Sequence, residues 1–495
     1  MQSILRSELL RRALLAVGCF ALLIFFFSPP WAAFEIWMRI PEVGGMIEVR
    51  RATAMLFQME HIGAKIPDEL HGAIQWRLLP PLVGRLSHLP PPYVFGLAHV
   101  GCIAVLGYTI TVLRRGGLTL WTSAGVTLSF GAASWFFTSG SWLGYFDSWL
   151  VLGLLLVAFG DSKWTVWAAC ACAPWVDERF VIAAPLALFC RQLYRRDRGS
   201  TPSVRMFELA TVVAVALIAL FAVVRLGILA RHSGTNATVG GYFDHFAMFD
   251  APLLRILFGV WTGWRVAWFF VLLGIAAQWQ SDRRMAVMLA ISVATVAIIG
   301  LGTAQDLSRS MMLLAPITVL GAVWTLQHFR IERWMPAIVA MSLLLPAHHV
   351  MSDRIVPIYY LYHELAAFES PPPAVTAELH ELKGILAMQR GEYVAAAEAL
   401  SLAIKLARNP ASASKQRGVL FASQQQWKQA RDDFSVMVQH EPKNPDGWFL
   451  RAQAELAVGN ATAAAADFKQ ALAVAGPGWA ERADVVRFRS KLEPR

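Results

Sequence analysis

Charge is what this chain has least of. Only 16% of its 495 residues are Asp, Glu, Lys or Arg, against 56% hydrophobic, and the mean hydropathy is +0.47. Soluble domains carry about a quarter charged residues, so an ordinary soluble fold of this size is excluded. Cysteine is scarce as well. Cys19, Cys102, Cys170, Cys172 and Cys190 all lie in apolar runs, which excludes a disulfide framework. Cys170-Ala-Cys172 has no histidine cluster beside it with which to build a metal centre, so the five read as small packing residues. The net charge of +10 is not spread as a nucleic-acid patch. Its basic residues sit in short loops at 114–115, 191–198, 281–284 and 328–333, the bias that marks the inner side of a membrane protein.

What the sequence has is long apolar runs. Residues 13–34, 93–113, 119–138, 141–159, 206–230, 253–278, 284–302, 310–327 and 334–348 are of this kind. A helix needs roughly 20 such residues to cross the hydrocarbon core. The pattern predicts an all-α polytopic membrane bundle of about 10–12 membrane helices over residues 1–365. The first run lacks a small-x-small cleavage site and reads as an uncleaved anchor.

Threading the runs by the Lys/Arg bias places the N-terminus inside. One segment resists. Residues 164–192 leave from the inside and return to the basic loop at 191–198, yet are too few for two spans. Two arms of about 13 residues reach about 20 Å each. A pair of short or tilted helices is expected, broken at Pro174 and Asp177-Glu178-Arg179 and lining a cavity. The threading puts Asp147, Asp177, Glu178, Asp244, Asp250 and Asp306 on the face opposite the basic loops, with Asp161 the exception.

These acids and the basic residues near them form the candidate site. Asp177 or Glu178 suits a general base, with Asp147 and Asp306 orienting an acceptor or a divalent ion such as Mg or Mn. Arg179, Arg265 and Arg309 suit an anionic leaving group. Mutual neutralisation of Arg265, Arg309 and Arg179 by Asp147, Asp306 and Asp177 is the plainer account of the same residues. Trp149 and Trp175 belong to an aromatic edge with Trp142, Tyr145, Trp164 and Trp167, which suits both a membrane interface and sugar stacking. His348-His349 lies on the same face and reads as a polar pair at the membrane edge. The first external loop, 35–92, mixes Met46, Val49, Met55 and Leu56 with Glu48, Arg50 and Arg51, as an interfacial helix does. Arg77 and Arg85 in that loop suit a lipid phosphate.

Residues 366–375, which contain "ESPPP", read as a linker, and the last part, 376–495, is water-compatible and repeats every 34 residues. Ala396, Ala430 and Ala464 are in register; so are Leu400, Phe434 and Phe468, and Ala403, Met437 and Ala471. Gly384 pairs with Gly418, Gly391 with Gly459, Tyr393 with Trp427, and Pro442 closes a repeat. Over residues 374–476 this resembles the tetratricopeptide repeat, of the same period, in about three copies, with a capping helix at 478–491. The resemblance implies an α-solenoid that recruits a protein or peptide partner.

The membrane part resembles the C-type membrane glycosyltransferases, through its inside N-terminus, long amphipathic first external loop and external acids. Glu35, Glu42 and Glu48 stand apart in that loop, and no Asp-x-Asp occurs there. The resemblance implies a polyprenyl-phosphate-linked sugar donor, a carboxylate base and basic residues on the lipid phosphate. It also implies a bacterial cytoplasmic membrane; the threading by Lys and Arg puts the repeats outside. Two other classes fit the sequence: an O-antigen ligase- or polymerase-like enzyme, and a non-enzymatic scaffold of the cell envelope.

Overall fold

The computed structural model describes residues 2–27, 47–64, 66, 74–199, 209–232, 251–352, 355–358, 377, 380–381, 383–385, 387–388, 390–407, 409–476 and 478–492. These fall into two compact units, one up to residue 358 and the other from residue 377. Among the described residues the regular structure is helical except for two three-residue strands. His348–Val350 and Ile355–Pro357 pair antiparallel.

Among the described residues, five helices of the first unit are long and apolar enough to cross a membrane: Glu8–Phe27, Tyr93–Arg115, Leu253–Ser281, Arg283–Gly302 and Leu307–His328. The chain is a membrane protein. The last of these is the hub, with 94% of its most apolar window buried inside the protein. It passes Leu253–Ser281 closely because both carry glycine at the crossing. A Cβ on Gly274 would fall on the backbone of Gly321, so only glycine fits there. The first helix buries Ala16, Cys19, Leu23 and Phe27 and exposes Leu9, Leu10, Leu14 and Val17, one face to the bundle and one to lipid.

Several apolar runs do not become single helices. Run 119–138 is two pieces, Leu120–Gly131 and Ser134–Ser141. At the break the Ala132 carbonyl is turned to Arg265 Nη1, 3.1 Å away. Run 141–159 yields a helix only from Asp147, because Gly144 adopts φ +70°. Run 334–348 gives the ten-residue helix Met335–Leu344 and then a strand. The 164–192 segment breaks where its sequence breaks. Lys163–Cys172 is ten residues, about 15 Å, and is followed by a 3-10 turn Ala173–Trp175. The returning helix Phe180–Asp197 is 18 residues, longer than the arm expected.

The second unit is a run of helices packed on their sequence neighbours: Tyr393–Leu406, Ala411–Ser423, Trp427–His440, Pro445–Ala457, Ala461–Val474 and Ala483–Leu492. The sequence period is a packing period. Ala396, Ala430 and Ala464 are fully buried, and Leu400, Phe434 and Phe468 fill the seam beside them. Gly418 lets Phe434 in, since a Cβ there would lie 2.5 Å from its ring. Arg417 grips Asp433 with two nitrogens at 2.9 and 2.6 Å. Arg451 grips Asp467 likewise, at 2.7 Å twice.

Candidate functional site

The site is built from helix ends. A glycine turn at Gly144 starts the helix that Asp147 opens. The break after Pro174 presents Asp177, Glu178 and Arg179 between two helices. Asp306 precedes the short helix Leu307–Ser310, which carries Arg309. Arg77 follows a turn at Ile74 and precedes the helix Leu79–Ser87. Main-chain breaks leave polar groups that apolar spans cannot satisfy, which is why charges settle there.

Arg309 is the centre. Its Nε reaches Asp147 Oδ2 at 2.5 Å and its Nη2 reaches Asp147 Oδ1 at 2.6 Å. The same Nη2 lies 3.4 Å from Asp177 Oδ2, and Nη1 lies 3.3 Å from Asp306 Oδ2. Thr138 Oγ1 donates to Asp147 Oδ2 at 2.6 Å. Arg179 wraps Asp177, with Nε at 2.9 Å, Nη2 at 2.7 Å and its own backbone N–H at 3.0 Å. Arg77 joins Asp177 at 3.1 Å and Glu178 at 3.2 and 3.4 Å. Tyr145 is sandwiched by cations. The Arg51 guanidinium carbon lies 3.7 Å from its ring centroid and that of Arg309 4.6 Å. Arg51 Nε also donates to Gly144 O at 2.8 Å.

Four carboxylates thus face three guanidiniums, with Arg51 behind Tyr145, in a buried setting in which Asp147 and Asp177 are each 1% exposed. They are not held equally. Asp147 and Asp177 accept short, bidentate bonds. Asp306 accepts one contact of 3.3 Å on each oxygen, from His349 and Arg309, and its side chain is 12% exposed. Among the described residues of the cluster, Arg179 Nη1 is buried and has no hydrogen-bond partner.

Burial alone would raise Asp177 and Glu178. The Arg179 and Arg77 charges outweigh it for Asp177, and the Arg77 charge does so for Glu178, so both carboxyls sit below their ordinary range. Burial would lower Arg77, but the charges of Asp177 and Glu178 outweigh it and keep the guanidinium charged. Burial would raise Asp306 too. The interaction with His349, together with the Arg309 charge, holds it well below the carboxylate range.

Of the residues singled out in sequence, Asp147, Asp177, Glu178, Asp306, Arg77, Arg179 and Arg309 come together. Arg265 does not join them. It adopts φ +48° at a helix interruption, and its guanidinium serves the carbonyls of Ala132, Ser342 and Leu345 under the rings of Phe27 and Phe137. Trp149 ties its helix to Leu97 O at 2.7 Å, and Trp175 meets Phe221 edge-on at 4.7 Å. Both are packing residues here. Asp244 and Asp250 lie outside the described residues, as do Glu35 and Glu42. Sequence reasoning treated Arg51 as part of an interfacial face; it is buried against Tyr145. The only hint was its neighbourhood in a loop already rich in arginine.

Among the described residues no three His, Cys, Asp or Glu side chains converge as a metal set. On Asp147 and Asp177, guanidinium groups occupy lone pairs that a divalent ion would need. The cysteines are free; Cys172 is exposed and the other four are buried. The chain matches no protein-family model, and comparison with curated proteins finds no relative.

Proposed function

We propose that the first unit is a membrane glycosyltransferase of the C type, taking its sugar from a polyprenyl-phosphate carrier on the extracytoplasmic face. The observation that carries this reading is the buried Arg179 Nη1, a cationic donor without a partner beside a helix break. Buried donors are almost always satisfied, so an empty one inside a charged cluster suits an anion that arrives from outside. A lipid phosphate has the charge and the membrane location to be that anion.

The base differs from the one favoured on sequence. Asp177 is wrapped by Arg179, Arg77 and Arg309 and has no lone pair to spare. Asp306, loosely held and partly exposed, suits the role better. In the step, the acceptor O–H gives its proton to Asp306. Its oxygen bonds to the anomeric carbon, and the bond from that carbon to the phosphate oxygen breaks. The electron pair leaves with the lipid phosphate, toward Arg179. The second unit is read as tetratricopeptide repeats that hold a protein or peptide partner.

The bidentate Asp147–Arg309 and Asp177–Arg179 pairs favour a second reading, a structural ion cluster in a scaffold. Binding separates the two. Purified protein in nanodiscs is titrated with undecaprenyl phosphate and with uncharged undecaprenol, and its thermal stability recorded. Stabilisation by the phosphate alone, measured against each variant's own unliganded melting temperature and lost in Arg179→Met, supports the transferase. Equal responses to both lipids, or none, leave the scaffold.

A further inference from the structure

Three elements meet behind Asp306. His349, in the strand His348–Val350, is fully buried. Its Nε2 lies 3.3 Å from Asp306 Oδ1 and its Nδ1 lies 3.4 Å from Ser308 Oγ. The ring of Trp142 closes on the imidazole edge-on at 4.3 Å. Met351, two residues further, bridges the main chain of Asp306, so backbone pairing fixes the distance between acid and imidazole.

Ser308 decides which nitrogen carries the proton. Its oxygen accepts from the Val350 N–H at 3.0 Å and from Ser134 Oγ at 3.3 Å. A hydroxyl oxygen has two lone pairs, and both are then taken. Ser308 is left only its own O–H to offer, and the imidazole Nδ1 is there to accept it. A proton on Nδ1 would meet an oxygen with no lone pair left. The hydrogen of His349 is therefore on Nε2, pointing at Asp306. With Arg309 on the other oxygen, the carboxylate is gripped once on each side.

We infer that His349 is a positioning residue for Asp306, its tautomer set by Ser308 so that Nε2–H orients the carboxylate that receives the acceptor's proton. The inference deepens the transferase reading and rests on it for the word acceptor. The imidazole does not touch the reacting atoms. It keeps the carboxylate ionised, turned and ready, as a paired donor does for any acid held in a low-dielectric setting. The charged and titratable groups around Asp306 are the Arg309 guanidinium and the His349 imidazole in contact, with Arg179, Asp147 and Asp177 beyond them through Arg309 and Arg179.

Carbodiimide labelling tests this without substrate, because the protonated carboxyl gives its proton to the carbodiimide nitrogen and its oxygen then adds to the central carbon. The full chain in nanodiscs is labelled across pH, and the peptide bearing Asp306 is followed by mass spectrometry. His349→Phe, which removes the donor, should raise the labelling midpoint by about one pH unit or more, a tenfold change in protonation. His349→Gln, whose amide nitrogen reaches where Nε2 stood, should return the midpoint most of the way to that of the natural protein. Ser308→Ala, a small change that spares the fold if His349→Phe does not, should raise it in part. A merely structural histidine would lower the melting temperature in His349→Phe and leave the midpoint where it was. That result overturns the inference, as does an unchanged midpoint in Ser308→Ala or failure of His349→Gln to restore it. Undecaprenyl phosphate binding is scored separately. A shifted midpoint in a protein that ignores the lipid would sink the transferase reading and not the acid–imidazole pair.

Discussion

Arg309 and Asp147 are 162 positions apart and form the tightest ion pair of the membrane unit, Nε to Oδ2 at 2.5 Å and Nη2 to Oδ1 at 2.6 Å. A buried pair of this kind is worth little against a well-packed apolar replacement, but breaking it strands a charge. Asp147→Asn should therefore lower stability by about 3–5 kcal/mol. Asp147→Asn with Arg309→Met should recover part of that loss. Thermal unfolding in detergent, followed by tryptophan fluorescence, checks both. A double variant no more stable than the single one would mean that the pair is not the unit of cost.

Arg265 makes a contrasting prediction. It holds three carbonyls and sits outside the acid cluster. Arg265→Ala should cost about 1–3 kcal/mol for each carbonyl left dry. The fraction that folds should bind undecaprenyl phosphate as the natural protein does. Affinity measured on the folded fraction decides; a specific loss of lipid binding would return Arg265 to the site.

Acid should weaken the membrane unit in a defined window. Asp177, Glu178 and Asp306 are held below their ordinary values by neighbouring cations and by His349. Their contribution is complete above the unfolded carboxyl value, about pH 4, and is lost as pH falls toward the folded values. The melting temperature should be flat between about pH 6 and 8 and drop below about pH 4. Asp306→Asn should make that drop shallower. An equally steep drop in the variant would show that Asp306 does not contribute.

Residues 374–495 should fold without the rest, because their seams are internal to the second unit. Circular dichroism of the soluble fragment should show one cooperative helical melt. Phe434→Ala should lower its stability by about 3–5 kcal/mol. Gly418→Ala, which drives a methyl group into the Phe434 ring, should cost about 1–3 kcal/mol. A fragment that stays unfolded would refute the expectation.

What was legible in the sequence followed from cost. Asp147, Asp177 and Asp306 stand out because an ionised group inside an apolar run is expensive, and expense draws partners. The same reasoning misplaced Arg265. A sequence shows that a cation needs partners and not whether they are carboxylates or carbonyls. The split of run 119–138 was harder to read: Gly131 ends the first piece, but a lone glycine in an apolar run does not by itself stop a span, and the Ala132 carbonyl freed there is met by an arginine far along the chain. Arg51 looked like surface charge because its partner, Tyr145, is an aromatic face. His349 was visible as a polar pair with His348. Its bond to Asp306 depends on a short strand that no periodicity announces. The 34-residue period revealed the packed alanines and phenylalanines, yet the Arg–Asp grips lay unnoticed on the same period.

Those grips carry a consequence for how such an array grows. Arg417 and Asp433 are 16 residues apart, as are Arg451 and Asp467, and the two pairs are one period apart. If residues 427–460 were cut out, Gln426 would join Ala461, and Arg417 would face Asp467 at the old spacing. Gly418 would meet Phe468 as it now meets Phe434. A tandem duplication or deletion of one period rebuilds the lost contacts at its own seam. Gene slippage can therefore lengthen or shorten the array without any step in which a buried aspartate waits for its arginine.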